Sequence, residues 1–306
     1  MTKKNEESGF PIVYDRVFKP SPDCTLYHYC STPTFLSILA SGAVRFSDAN
    51  MMNDSEEGRY GYSLFEGAAN DLLDMAKEKP ALDGLTPDFL DQVDSYLSPK
   101  QFITHPVIAC FSKNPDVLGQ WRAYGQDGRG WAVGFSGEAI GAMPVTLLNV
   151  LYDVSKQREE VLNSLAAMYV IWRQKGGDFH EAVGDDASFL ASLLLASKHP
   201  SFRDEQEVRA LHELRVDRAP EGWSLVDEGG VANGEETEGL PVGFRADDAA
   251  IVAHLDIPLQ RSNNVSIREL WFGPRNPNAL GNAVYPLTRF GHRNVVLHRS
   301  ASSYRG

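Results

Sequence analysis

Residues Glu205 to Leu211 (Glu-Gln-Glu-Val-Arg-Ala-Leu) alternate charged and uncharged side chains at period two. As a strand they place Glu205, Glu207 and Arg209 on one face. Two carboxylates and a guanidinium make a poor core. Like charges that close raise each other's pKa, and an adjacent arginine holds at least one of them ionised. Such a face suits a site that stabilises developing positive charge or grips sugar hydroxyls. The competing expectation is a solvated edge strand. A histidine between tyrosines, Tyr27-His28-Tyr29, opens the fold far upstream.

A chain of 306 residues can bury a substantial core, as one large domain or one domain with an insertion. Its 42% hydrophobic and 23% charged content is that of a globular protein. No apolar run approaches the roughly 20 residues that cross a bilayer. Met1–Glu7 carries lysines with no hydrophobic segment behind them, so neither a signal peptide nor a membrane partner is expected. Cys24, Cys30 and Cys110 form no CxxC pair and no even set, which fits a cytoplasmic location without disulfides or zinc. The net charge of −12 opposes tight nonspecific binding to nucleic acid or anionic lipid. It leaves room for a nucleic-acid substrate in a local basic groove, although no cluster of lysines and arginines is visible along the chain.

Residues 1–24 read as an N-terminal tail broken by Pro11, Pro20 and Pro22. Thr25–Cys30 reads as a strand. Thr32 as N-cap and Pro33 then open a helix with Phe35, Leu36, Ile38 and Leu39 on its buried stripe, ended by Gly42. Ala43–Ser47 is the next strand. A polar loop over 48–58, a helix over 60–76 and an irregular or weakly helical stretch over 77–104 follow. Strands are expected over 106–112, 130–135 and 147–152, and helices over about 155–174 and 186–197. Residues 217–239, rich in Glu, Asp and Gly, read as a flexible acidic insertion. Strands near 249–256 and 267–272, a helix near 278–285 and a strand over 294–298 complete a single domain over 25–300. The irregular alternation favours α+β over a doubly wound parallel sheet.

Several motifs occur in order: Leu26-Tyr27-His28-Tyr29, Phe46-Ser47, Met52-Asn53-Asp54-x-Glu56, Cys110-Phe111-Ser112 and Gln120-Trp121-Arg122-x-Tyr124-Gly125. They continue with Gly130-x-x-x-Gly134-Phe135, Phe202-x-x-Glu205-x-Glu207-x-Arg209 and Ile267-x-Glu269-x-x-x-Gly273-Pro274. Over about residues 25–300 the set resembles a large bacterial family catalogued as a domain of unknown function. One step further out, the His28 strand, the Phe35–Gly42 helix and the late Glu-x-Glu strand resemble ADP-ribosyltransferase-like proteins, although a Ser-Thr-Ser second motif is lacking.

That second resemblance implies an ADP-ribosyltransferase-like split sheet, mixed or antiparallel, with flanking helices around an NAD-sized cleft. It implies NAD or a related nucleotide bound as substrate, with no metal. ADP-ribose would pass to a macromolecular acceptor, protein or nucleic acid, or NAD would be hydrolysed, in a bacterial toxin, effector or phage-defence role. In that family the first motif's histidine contacts the adenosine ribose, a middle-motif serine or tyrosine lines the nicotinamide pocket, and the late glutamate bonds the nicotinamide ribose. Carried over, the catalytic candidates are Glu207, Glu205 and His28. The nucleotide-binding candidates are His28, Tyr29, Ser47, Ser112, Trp121, Arg122, Tyr124 and Arg209, with the residue lining the nicotinamide pocket left open.

Cleaving the nicotinamide–ribose bond passes through an oxocarbenium-like transition state, which a fixed carboxylate stabilises. Glu207 is expected in that role, Glu205 in orienting or activating the acceptor, and Arg209 in ionising the carboxylates or meeting a pyrophosphate. Each has a competing expectation. His28 can be a satisfied strand histidine; Tyr27 and Tyr29, which point away from it, can be core; and Trp121, Arg122 and Tyr124 can form a packed helix end. Gly125–Gly130 precedes a strand and reads as a hairpin turn rather than a phosphate cradle. Asn53–Glu57 reads as a helix start rather than a calcium loop. Three rival functions stay open: a nucleotide-binding sensor without turnover, an interaction module with Glu205 and Glu207 exposed and no pocket beside His28, and a glycoside or nucleoside hydrolase using that carboxylate pair.

Overall fold

The computed structural model describes residues 16–51, 55–98, 104–176, 178–259 and 266–304. Strand β1 (Thr25–Cys30) buries Leu26 and Cys30 in the main core and Tyr27 and Tyr29 in a second cluster, as period two requires. Ser31, one residue before the expected cap, accepts the Thr34 N–H and starts α1 (Thr32–Ser41). The helix ends at Gly42, whose φ of 65° suits a residue without Cβ. Phe35, Ile38 and Leu39 are buried, but Leu36, expected on the same stripe, is exposed. Strand β2 (Ala43–Asp48) follows.

Both strands pair antiparallel with one edge of β3 (Thr104–Ser112), β1 at its C-terminal end and β2 near its middle. Tyr27 faces Ser112, whereas Ser47 faces Ile108 and Asp48 faces Val107. Among the described residues no strand pairs with Ala109–Phe111 on that edge, so the sheet is split there. The other edge of β3 pairs along its length with β6 (Glu207–Ala219).

The remaining strands extend both sides of the split. Beyond β1 lie β4 (Trp131–Ser136), β12 (Ile267–Phe272) and β13 (Val296–Arg299); beyond β2 lie β11 (Ala250–Pro258) and β10 (Gly243–Asp247). Strand β6 also carries β5 (Thr146–Asn149) and β7 (Gly222–Val226). The pairings are antiparallel except β12 with β13, which makes the sheet mixed.

One face of the sheet, with Leu26, Phe46, Phe111, Val208 and Leu255, packs under α1 and α8 (Leu280–Arg289). A separate helical core joins α2 (Ser55–Ala76), α3 (Pro87–Leu97), α6 (Val154–Lys175) and α7 (Phe179–Leu195) around Leu72, Phe89, Leu165 and Tyr169. The chain is therefore α+β. No helix of the described residues is long and apolar enough to cross a membrane.

Several expectations need correction. The stretch 77–104 contains α3, which starts on Pro87 and buries Phe89, Leu90 and Val93; its polar remainder hid so short a stripe. Residues 217–239, expected as an insertion without regular structure, carry short strands. Strand β6 runs through Ala219 and turns into β7, and β8 (Gly230–Ala232) pairs with β9 (Glu235–Thr237). The acidic charge there is answered locally: Arg215 meets Glu228 at 2.6 Å, and Asp227 accepts from His212 at 2.7 Å and from the Gly229 and Leu240 amides. Strand β10 went unrecognised. Residues 16–24 are no free tail, since Arg16 is buried against Glu160 and donates to the Ala196 carbonyl at 2.6 Å. Gly125–Gly130 joins α4 (Leu118–Ala123) to β4 rather than two strands. Residues 1–15 and Met52, Asn53 and Asp54 of the proposed motif lie outside the described residues.

Candidate functional site

A cavity of about 400 Å³ occupies the split between β1 and β2. Ile108–Phe111 of β3 line it. His28 and Tyr29 line it from β1, Arg45 and Ser47 from β2, Ser37 and Ile38 from α1, and Gln120 and Tyr124 from the α4 segment. Glu207 lines it from β6, and Arg245, Asp247 and Asp256 from β10 and β11.

His28 and Glu207 enter from opposite faces of the sheet. Ser112 is in register with both Tyr27 and Glu207, so those three share a face, and His28 points the other way with Leu26 and Cys30. The cavity passes through the sheet at the split. Only there can groups from both faces meet one ligand.

The His28 ring bonds the Cys110 carbonyl through Nδ1 at 3.0 Å. A carbonyl only accepts, so Nδ1 carries the proton and Nε2 of the neutral ring remains an acceptor. Burial holds the His28 pKa below the ordinary histidine value, against the opposing effect of that bond.

The charged residues form a buried cluster with a member unseen in the sequence pattern. Lys198 Nζ lies 2.7 Å from Glu205 Oε2 and 3.3 Å from Glu207 Oε2. Arg209 Nε donates to Glu207 Oε1 at 2.9 Å. Exposure is 2% for Lys198 and Arg209, 5% for Glu207 and 8% for Glu205, which rules out the solvated edge strand. Burial alone would push Glu207 up, but Arg209 and Lys198 together outweigh it and hold the carboxyl at about 2. The Tyr152 hydroxyl accepts the Glu207 amide at 3.0 Å. Burial raises the Tyr124 and Tyr152 hydroxyls above the ordinary tyrosine value, so both stay protonated.

Glu205 departs from the expected strand. It ends a 3-10 turn over Pro200–Glu205, and Gln206 at φ 44° breaks the alternation before β6 begins. Its carboxylate reaches Lys198 and does not line the cavity. Carboxylates paired along one strand, as a hydrolase would use them, are therefore absent at this position.

Of the other candidates, His28, Tyr29, Ser47, Tyr124 and Glu207 line the cavity, whereas Ser112, Trp121, Arg122 and Arg209 do not. Ser112 Oγ donates to the Glu205 carbonyl at 2.7 Å, and the Tyr29 hydroxyl donates to the Asn114 carbonyl at 2.9 Å. Trp121 is fully buried, stands edge-on to Tyr29 at 4.7 Å and donates to Asp116 at 2.7 Å. Arg122 turns outward over the Tyr304 ring at 5.8 Å. Arg209 supports Glu207 and caps the Leu195 carbonyl. Nothing local marks Lys198, because its partners come seven and nine residues later across a turn. Among the described residues no group of three His, Cys, Asp or Glu side chains is arranged to hold a metal.

Residues 120–210 match the family model described as Protein of unknown function (DUF2971). The matched stretch runs from Gln120 of the cavity wall to Ala210 of β6, and so holds Tyr124, Lys198, Glu205, Glu207 and Arg209. It supports the domain-of-unknown-function resemblance seen in the motifs. No curated protein and no solved structure matches the chain.

Proposed function

We propose that the split-sheet cavity binds NAD and that the protein transfers ADP-ribose from it to a macromolecular acceptor, or to water. The observation that carries this reading is the ionised Glu207 carboxylate on the wall of a cavity shared with a neutral His28. The cavity volume falls within the roughly 300–1,000 Å³ of ligand pockets. Split strands flanking a helix and followed by a late glutamate strand also fit the ADP-ribosyltransferase-like resemblance.

In this reaction the bond between ribose C1′ and the nicotinamide nitrogen breaks, and its electron pair leaves with the ring, which becomes neutral. Positive charge develops on the ribose. Glu207 accepts from the ribose 2′-hydroxyl and stabilises that charge without reorganising, because Lys198 and Arg209 already hold it ionised. His28 Nε2 accepts a second hydroxyl. The acceptor oxygen or nitrogen adds to C1′ and loses its proton to solvent. Glu205 acts one step back, by fixing Lys198.

The test is nicotinamide release from NAD by the purified protein, with cell lysate as acceptor source, beside Glu207→Gln. Release is expected to fall by about 10²–10³-fold, the cost of losing one preorganised electrostatic group. Full turnover by Glu207→Gln would overturn the assignment. NAD binding without release by the unaltered protein would instead indicate a nucleotide sensor, which the saturation of Glu207 by two cations makes the next reading.

A further inference from the structure

The fold assembles a basic surface that is scattered in the sequence. The turn after α4 brings Asp127 against Arg275, and the Tyr304 hydroxyl donates to the same carboxylate at 2.8 Å. The Arg275 and Arg122 guanidiniums lie 5.6 and 5.8 Å from the Tyr304 ring centre. Arg129 acts on Asp127 electrostatically from the same turn. Gly128 lets this turn close on the ring, since an added Cβ would lie 3.3 Å from it and φ there is 78°. Three guanidiniums thus surround one carboxylate and one aromatic ring, in a chain whose net charge is −12. Among the described residues neither Arg122 nor Arg129 has a hydrogen-bonded carboxylate, and both are exposed.

We infer that this patch docks a single-stranded nucleic acid. The forked guanidiniums fit phosphate oxygens, and the exposed Arg122 and Arg129 planes beside the half-exposed Tyr304 ring offer flat surfaces to bases. The bases are what favour a nucleic acid over an acidic peptide. Arg122 stands two residues before the cavity-lining Tyr124, so patch and cavity lie on opposite sides of α4. A helix is about 10 Å across, which one or two nucleotides span. That the strand is also the acceptor rests on the proposed ADP-ribosyl transfer; its docking does not.

The experiment is fluorescence anisotropy of labelled single-stranded DNA and RNA of about 16 nucleotides with the full chain, without NAD. Salt is varied between about 50 and 200 mM. The unaltered protein should bind, with affinity falling as salt rises. Arg122→Gln with Arg129→Gln should weaken binding about tenfold or more and flatten the log–log salt slope by roughly 1.4, the release of two phosphate contacts from a single strand. Arg122→Lys, a milder change, should keep the slope. Glu207→Gln should bind as the unaltered protein does, so a failure of catalysis leaves the docking inference standing. The inference is overturned if neither oligonucleotide binds at the lowest salt, if the double variant with an unchanged melting curve binds equally well, or if polyglutamate binds more tightly than both.

Discussion

Lys198→Met isolates the electrostatics of the buried cluster. The substitution keeps much of the side-chain volume and removes the ammonium that lies 2.7 Å from Glu205 and 3.3 Å from Glu207. Breaking a buried pair from one side typically costs about 3–5 kcal/mol, because the remaining charge stays desolvated. In the unaltered protein the Glu207 carboxyl sits at about 2 against an ordinary 4.5. A depressed carboxylate stabilises the fold fully above its unfolded pKa and loses that stabilisation as pH falls from 4.5 through about 2. The displacement is on the order of 3 kcal/mol at neutral pH. Without Lys198, Arg209 and the Cys110 thiol are left to hold Glu207 ionised, so its pKa rises and it takes up a proton earlier on acidification. The stability gap between the two proteins should therefore be widest at neutral pH and narrow as pH falls. Urea unfolding of both proteins from neutral pH to about pH 3 measures it, with Lys198→Arg as a charge-conserving control. A gap that stays constant with pH, or one below about 1 kcal/mol at neutral pH, would refute the electrostatic account.

Other residues give sharper, cheaper checks. His28→Asn should weaken NAD binding about tenfold, the worth of one hydrogen bond, with little change in the melting midpoint; calorimetry with NAD reads the first and a thermal melt the second. Asp116→Ala removes the acceptor shared by Trp121, Ser300 and the Ala301 amide. It should cost roughly 1–3 kcal/mol and raise hydrogen exchange across residues 296–304. Gly130→Ala would set a Cβ 2.2 Å from the Cys30 carbonyl oxygen, a backbone contact that cannot give way, and should destabilise by about 3 kcal/mol or more. Gly119→Ala, with nothing within 4 Å, should instead stabilise α4 by roughly 0.5–1 kcal/mol, so opposite shifts in denaturant midpoint are expected from the two glycines.

The sequence by itself determined the identity of most elements. Alternation at 25–30 and 207–211, the Pro33-to-Gly42 helix and the apolar runs of β3 and β4 are local consequences of backbone geometry, with periods of 2 and 3.6 residues. The same logic placed His28 and Glu207 on strands facing something other than plain core. It failed at Glu205, where a single left-handed residue, Gln206, interrupts the alternation without leaving a mark in the composition. Composition also did not show the short strands of residues 217–239, whose charge is answered in part by Arg215 and His212 earlier on β6, across the turn into β7.

What only the tertiary structure decided are the meetings between distant segments. The split exists because β1 and β2 share one edge of β3 at separate places, Ser112 and Val107–Ile108, which depends on pairing register rather than on any strand's own residues. Through that gap His28 and Glu207 reach one cavity from opposite faces, while Trp121 and Arg122, beside the cavity in sequence, turn into core and solvent. Lys198 acquires its partners across a turn, and Arg122, Arg129 and Arg275, far apart in the sequence, gather around Tyr304 and Asp127 beside the paired strands β4 and β12. Periodicity reports which way a side chain points along its own element; which side chains it meets depends on long-range packing, to which a local pattern is blind.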